Sequence, residues 1–234
     1  MKRKTSKYIL QLLILSSIIL SPLEVFSQDE KTPNKDNENK KFYQGSTIGV
    51  EIAGLGNYLL GSDIMSTEAM FQANILNRFM PVAEIGFAKV ETTSDATEIR
   101  YNTSAPFFRI GCDYNFFHDK AHLPGFLYGG IRYGFSSFSY DVDAPAMTDP
   151  NYGGQMEIPF SYHGMNTTAH WLEIVAGMKV KIYKGFCMGW SVRYKKRLSY
   201  TKHENTEPWY IPGFGKNAST GFTLSYHLMY NLPF

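Results

Sequence analysis

The side chains able to do chemistry in this sequence are mostly charged, and most sit between apolar neighbours. Glu51, Glu68, Glu84, Asp113 and Glu173 stand against Arg109, Arg132, Lys179, Lys181, Arg193 and Lys195. In an extended chain this spacing puts the charges on one face and the apolar residues on the other. The signs nearly match, so charges sharing one interior would form ion pairs and plug it. A narrow conducting pore is the alternative use of the same groups. Gly111, Gly130, Gly134, Gly177 and Gly189 fall on the charged face and leave room for long Arg and Lys chains, which favours the plug.

Groups suited to nucleophilic or metal chemistry are less well arranged. His163, His170 and His203 lie in expected loops, with Ser161 two residues before His163 and Ser199 four before His203. A lipid-active barrel enzyme would use such a His with a Ser or an acid. Triads assemble in space, however, and no spacing here is diagnostic. His118 and His122 flank Asp119 in a stretch containing Pro124, so helical i, i+4 ligand logic does not apply. Cys112 and Cys187 share no ligand spacing and are expected on opposite faces, as inert thiols. No catalytic residue, metal site or cofactor is implied by these patterns.

Trp209, Tyr210 and Phe214 belong to an aromatic, glycine-containing loop stiffened by Pro208 and Pro212. One reading is a surface patch that binds a glycan or a partner protein. The other is an aromatic girdle at a lipid interface, folded over a barrel mouth.

The elements that must carry these groups alternate with period two. Segments 47–53, 68–76, 83–90, 107–116, 127–140, 171–182, 186–200 and 221–234 read as eight strands. The last, GFTLSYHLMYNLPF, sets Phe222, Leu224, Tyr226, Leu228, Tyr230, Leu232 and Phe234 against Thr223, Ser225, His227, Met229 and Asn231. A terminal strand this apolar is a hazard in water and fits the closing strand of a membrane barrel. Connections alternate in length. Those at 77–81, 118–125 and 183–185 are short, while those at 55–66, 91–104, 141–168 and 201–217 are long. Outer-membrane barrels have short periplasmic turns and long outer loops, and eight strands then leave both termini on the periplasmic side.

The N-terminus points to export. Lys2, Arg3, Lys4 and Lys7 precede an apolar run from Tyr8 to Leu20, which is too short to span a bilayer as a helix. Residues 1–27 read as a cleaved signal peptide, 28–41 as a flexible polar periplasmic leader, and 42–234 as the barrel. Of the 23 Lys+Arg and 21 Asp+Glu, four cations and one acid lie in 1–27, so the remainder holds 19 against 20. The formal charge of +2 is therefore no argument for nucleic-acid binding. Mean hydropathy of −0.25 with 16 Tyr, 17 Phe and 20 Gly suits a barrel in which only alternate residues face lipid.

GCDYNFF (111–117), YGGIRYGFSSFS (128–139), WLEIVAGMKVKIY (171–183), GWSVRYKKRL (189–198) and YIPGFGK (210–216) resemble a family of outer-membrane β-barrel proteins grouped as a domain of unknown function. The resemblance implies a barrel in the cell outer membrane whose terminal strand is recognised by barrel-assembly machinery. It brings no activity and no catalytic residues.

The expected fold is all-β, a closed antiparallel transmembrane barrel of eight strands. The expected role is that of a non-enzymatic protein of the Gram-negative envelope, structural or surface-binding through its outer loops. Its partners would be outer-membrane lipid and a glycan or protein ligand at the loops. A lipid-modifying or lipid-hydrolysing enzyme and a narrow porin are the alternatives. A soluble periplasmic barrel is disfavoured by Phe108, Phe135, Trp190 and Tyr194 in one apolar band. If the phase of the last strand is right, Leu228→Arg faces lipid and costs about 2–4 kcal/mol in urea unfolding of the lipid-refolded protein. Ser225→Arg is limited by space instead, and equal tolerance at both positions would contradict the assigned phase.

Overall fold

The computed structural model describes residues 42–120, 122–145, 147–148, 157–158, 161–204 and 206–233. The expected signal peptide (1–27), the leader (28–41) and Phe234 lie outside the described residues. Eight strands close into one antiparallel barrel. They are β1 (Tyr43–Glu51), β2 (Ile64–Ile75), β3 (Phe79–Thr93), β4 (Arg100–Asn115), β5 (Gly125–Asp143), β6 (Ser161–Tyr183), β7 (Phe186–Tyr200) and β8 (Thr220–Asn231). Each pairs with its neighbours in sequence, and β8 returns to β1 from Thr47↔Asn231 to Glu51↔His227. Closure gives every strand a partner on both sides and leaves no edge.

Alternation explains the faces. Along β3, Ala83, Ile85 and Phe87 point outward, while Val82, Glu84 and Ala88 are buried in the lumen. The other strands keep the same phase. The strands run further than the alternation of apolar residues alone suggests. β4 begins at Arg100 rather than near 107, and β6 at Ser161 rather than 171. The expected loops at 91–104 and 141–168 are thus partly strand.

The reason is an inversion of polarity. In β5 the outward residues Leu127, Ile131, Tyr133 and Phe135 give way to Ser137, Ser139 and Asp141. Over the same change the inward residues pass from Arg132 to Phe138, Tyr140 and Val142. β4 does the reverse on its way in, with outward Asn102 and Ser104 before Phe108 and inward Tyr101 and Ala105 before Arg109. β3 changes after Phe87 and β6 at Leu172. Neighbouring strands change at residues registered within two positions of one another, as at Phe108↔Phe135 and Tyr194↔Phe222. Leu198 is the outward apolar exception beyond this line.

Connections set the two ends. Leu76 and Asn77 make the β2–β3 turn in the left-handed region, and Lys184 does so between β6 and β7. At this short-turn end β1 begins and β8 finishes, where Leu232 N donates to Ser46 O at 2.9 Å. At the other end β1 leads into a short helix, α1 (Ala53–Leu59), in a stretch whose sequence pattern shows no helix. Hairpins close there at 147–148 with 157–158 and at Tyr210–Ile211 with Gly215–Lys216.

Within the lumen, an apolar cluster at the long-connection end joins Ala88, Val90, Tyr101, Phe107, Phe138, Tyr140 and Trp171 to Tyr210, Ile211 and Phe214. A smaller one joins Met70, Val82, Cys187 and Met229. Phe107 fills the space in front of Gly86, where an added Cβ would lie 2.1 Å from the ring. Gly86→Ala should therefore cost about 1–3 kcal/mol through overpacking. Gly56→Ala, in α1 with nothing within 4 Å, should stabilise by up to about 1 kcal/mol. Thermal unfolding of the two variants checks the pair.

Candidate functional site

Between the two apolar clusters the inward charges meet. Register brings them together. Glu84 lies opposite Arg109 across β3 and β4, Arg132 opposite Glu173 across β5 and β6, and Glu173 opposite Lys195 across β6 and β7. Arg193 reaches across the lumen. Its Nη1 donates to Glu84 Oε2 at 2.8 Å and its Nη2 to Glu68 Oε1 at 2.8 Å, with Glu173 Oε2 at 3.5 Å. Arg109 Nη1 donates to Glu68 and, at 3.0 Å, to Glu84. Its Nε is 2.9 Å from Glu173 Oε1 without hydrogen-bond alignment, so that contact is charge attraction. Arg132 grips Asp113 with two parallel bonds of 2.7 and 2.9 Å, the fork geometry that makes guanidinium–carboxylate pairs strong.

Lys195 Nζ stands 3.8 Å from Glu173. Arg109, Arg132, Arg193 and Lys195 therefore balance Glu68, Glu84, Asp113 and Glu173 in charge, and all are buried. Three residues that charge counting misses complete the set. His227 Nε2 is 3.1 Å from Glu68, Gln72 donates to Asp113 at 2.9 Å, and Trp171 Nε1 donates to Glu173 at 2.7 Å. His227 and Gln72 occupy inward positions of alternating strands, which is the signal that finds them.

Three expected members lie elsewhere. Glu51 ends β1, where the chain turns into α1, and the nearest unpaired donors are the first amides of that helix. It accepts from Ala53 N at 2.8 Å and Gly54 N at 3.0 Å, satisfying two helix-end groups. Lys179 sits in a separate cavity at the short-turn end, bonded to Thr47 Oγ1 and Asn231 Oδ1. Lys181 is exposed near the end of β6.

The aromatic loop is folded into the mouth. Tyr210, Ile211 and Phe214 are buried, so Tyr210 and Phe214 do not present a surface patch. Trp209 is 38% exposed and stacks on Tyr101 at 5.4 Å. The driving force is apolar burial against Phe107 and Trp171. Charge also holds the tip, because Gly213 O accepts from Arg109 Nη2 at 2.9 Å and Lys195 Nζ at 2.6 Å. Gly213 has φ +80°, and an added Cβ would meet the Phe107 ring at 2.5 Å. Burial pushes the Tyr210 phenol up to about 12, so it stays neutral against this apolar wall.

The remaining candidates do not converge on a reaction centre. His163 lies near the carboxylates of Asp141 and Asp143, His170 Nδ1 is 2.6 Å from Tyr133 OH, and His203 Nε2 is 2.8 Å from Asn166 O. Among the described residues no serine hydroxyl bonds to any of the three. His118 Nε2 meets Asp119 at 3.0 Å, and among the described residues no cluster of three metal-binding side chains occurs. Cys112 is exposed on the outer face and Cys187 buried in the lumen.

This geometry defines a class: a closed eight-stranded antiparallel barrel whose lumen is filled by ion pairs and capped by an inserted hairpin. Within that class, the chain belongs to the family described as "Domain of unknown function (DUF6048)", which matches residues 5–234. No curated protein matches the chain. Among solved structures it is similar to Neisserial surface protein A (NspA), with 16% identity over 81% of this chain and 96% of that one and a TM-score of 0.42.

Removing one network charge strands its partners. Arg193→Met should cost about 3–5 kcal/mol, since Glu68 and Glu84 keep their burial and lose their central cation. Glu91→Gln breaks only exposed pairs, with Arg100 and Lys89, and should leave the unfolding midpoint where it is. Urea titration of the refolded protein reads both.

Proposed function

We propose that this protein is an outer-membrane barrel with a closed lumen, a non-enzymatic envelope component that works through its long connections. The observation that carries the reading is the polarity inversion. Over one band the outer surface is apolar, with Ile110, Ile131 and Ile174 each more than 60% exposed, while the lumen is charged. Beyond that band the outside turns polar and the inside apolar. A soluble barrel has no reason to expose such a band, whereas hydrocarbon requires it, because lipid supplies no hydrogen-bond partners.

Aromatics flank the band as interfacial girdles do. Tyr133, Phe135, Tyr194 and Phe222 lie toward the long connections, and Phe79, Tyr114, Phe116, Phe186 and Tyr230 toward the short turns. From Phe108 to Phe116 the chain advances roughly 27 Å along the strand at 3.4 Å per residue, or about 20 Å of height at a 35–45° tilt. That is close to the roughly 25 Å apolar band of such barrels. In this reading the short turns and both chain ends are periplasmic, and the long connections face outward. The extensions of β3 to β6 beyond the band then form a small soluble-type core at the base of those connections, which are the surface for structural or binding contacts.

The filled lumen argues against a porin. An inserted hairpin and eight paired charges occupy the lumen in its upper half. Three measurements test the reading. The refolded protein should migrate differently on gels before and after boiling, and should precipitate when detergent is removed. In planar bilayers it should conduct no more than the background. Free solubility without detergent would sink the membrane assignment, and steady conductance would sink the plug.

A further inference from the structure

A cavity of about 340 Å³ opens at the short-turn end of the lumen. Its walls carry Lys120, Lys179 and Lys181, and among the described residues no Asp or Glu lines it. Lys179 is the deepest of the three and only 7% exposed. Its Nζ donates to Thr47 Oγ1 at 2.8 Å and to Asn231 Oδ1 at 3.0 Å, both neutral acceptors. Among the described residues it has no ion-pair partner. In that it differs from Arg109, Arg132, Arg193 and Lys195, each of which has a carboxylate within 4.0 Å.

A buried cation without a counter-charge is costly, yet here it stands at the wall of a space with room for about eleven waters at ~30 Å³ each. The wall is mixed. Phe117, Leu123, Phe126 and Leu232 give it an apolar side, and side-chain amides such as Asn74 and Asn77 a polar one. Asn74 Oδ1 is buried there without a hydrogen-bond partner among the described residues.

We propose that this cavity binds a small organic oxoanion, a carboxylate or a phosphate monoester, with its charged end on Lys179 and its apolar body against Phe117 and Phe126. Lys120 and Lys181 at the opening attract the anion, and Lys179 holds it. The lumen beyond is closed by the ion-paired network, so the site is a terminal pocket and not a step in a conduction path. The proposal does not rest on the membrane reading, because the pocket is formed by the barrel whether or not lipid surrounds it.

Calorimetric titration of the refolded full chain in a zwitterionic detergent tests it, with phenyl phosphate, benzoate and inorganic phosphate as probes and phenyltrimethylammonium as the cationic control. Phenyl phosphate and benzoate should bind one to one, inorganic phosphate at least several-fold more weakly, and the cation not at all. Lys179→Met should weaken binding at least tenfold while keeping the heat-dependent gel shift of a folded barrel. Lys179→Arg should retain most of it, and the double variant Lys120→Gln/Lys181→Gln should weaken it less than Lys179→Met does. Absence of binding by the natural chain, or unchanged binding by Lys179→Met, would overturn the proposal. If Lys179→Met does not fold, amide resonances of the natural chain decide. Shifts at Thr47, Lys179 and Asn231 on titration support the site, and shifts confined to Lys120 and Lys181 refute it.

Discussion

Burial of charge without loss of its partners is the constraint on which this barrel depends. Arg193 projects from one strand and is met by carboxylates from β2, β3 and β6. Removing either sign from water is expensive, and attraction offsets that only when geometry is good and the remaining donors are satisfied. Here Arg109 and Arg132 take the other lone pairs, and Gln72, Trp171 and His227 supply hydrogen bonds at the rim of the cluster. Strands that are far apart in sequence are thus tied through the lumen as well as around the wall.

The same cluster explains why the hairpin between β7 and β8 lies inside the mouth. Its apolar side chains would be buried against Phe107 and Trp171 in any event, but apolar packing has no preferred depth. The carbonyl of Gly213 supplies the depth, because it accepts from Arg109 Nη2 and Lys195 Nζ. A glycine is required there since φ is positive and the Phe107 ring leaves no space for a side chain. The plug is therefore a polar seal beneath an apolar stopper, each positioned by the other.

Above the seal the barrel changes its character. The strands carry polar residues outward and aromatic residues inward, the ordinary arrangement of a protein in water. Below it the arrangement is reversed. One sheet thus carries two opposite polarity patterns, and the boundary between them coincides with the layer where the hairpin meets the charges. Each end is left with its own surface chemistry, exposed connections at one and a lysine-lined cavity at the other.

Much of this was legible from residue order. Period-two alternation identified the eight strands and their lumen-facing charges, because neighbouring side chains in a strand must point to opposite faces whatever the rest of the chain does. Alternating connection lengths placed β1 and β8 ends together for the same local reason. The strand extensions were harder to read, since an expected apolar-out phase cannot be recognised where polarity inverts. Which charges pair was not legible at all. Glu51 has the same spacing as Glu84, yet it turns to the amides of α1, the unpaired donors nearest to it in the folded chain. Lys179 has the same spacing as Arg193, yet among the described residues it has no ion-pair partner. Tyr210 and Phe214 look equally suited to a surface and to a core. Alternation assigns a side chain to a face, whereas the height and partner of that side chain depend on strand tilt, register and the insertion of a distant loop, which exist only once the sheet has closed.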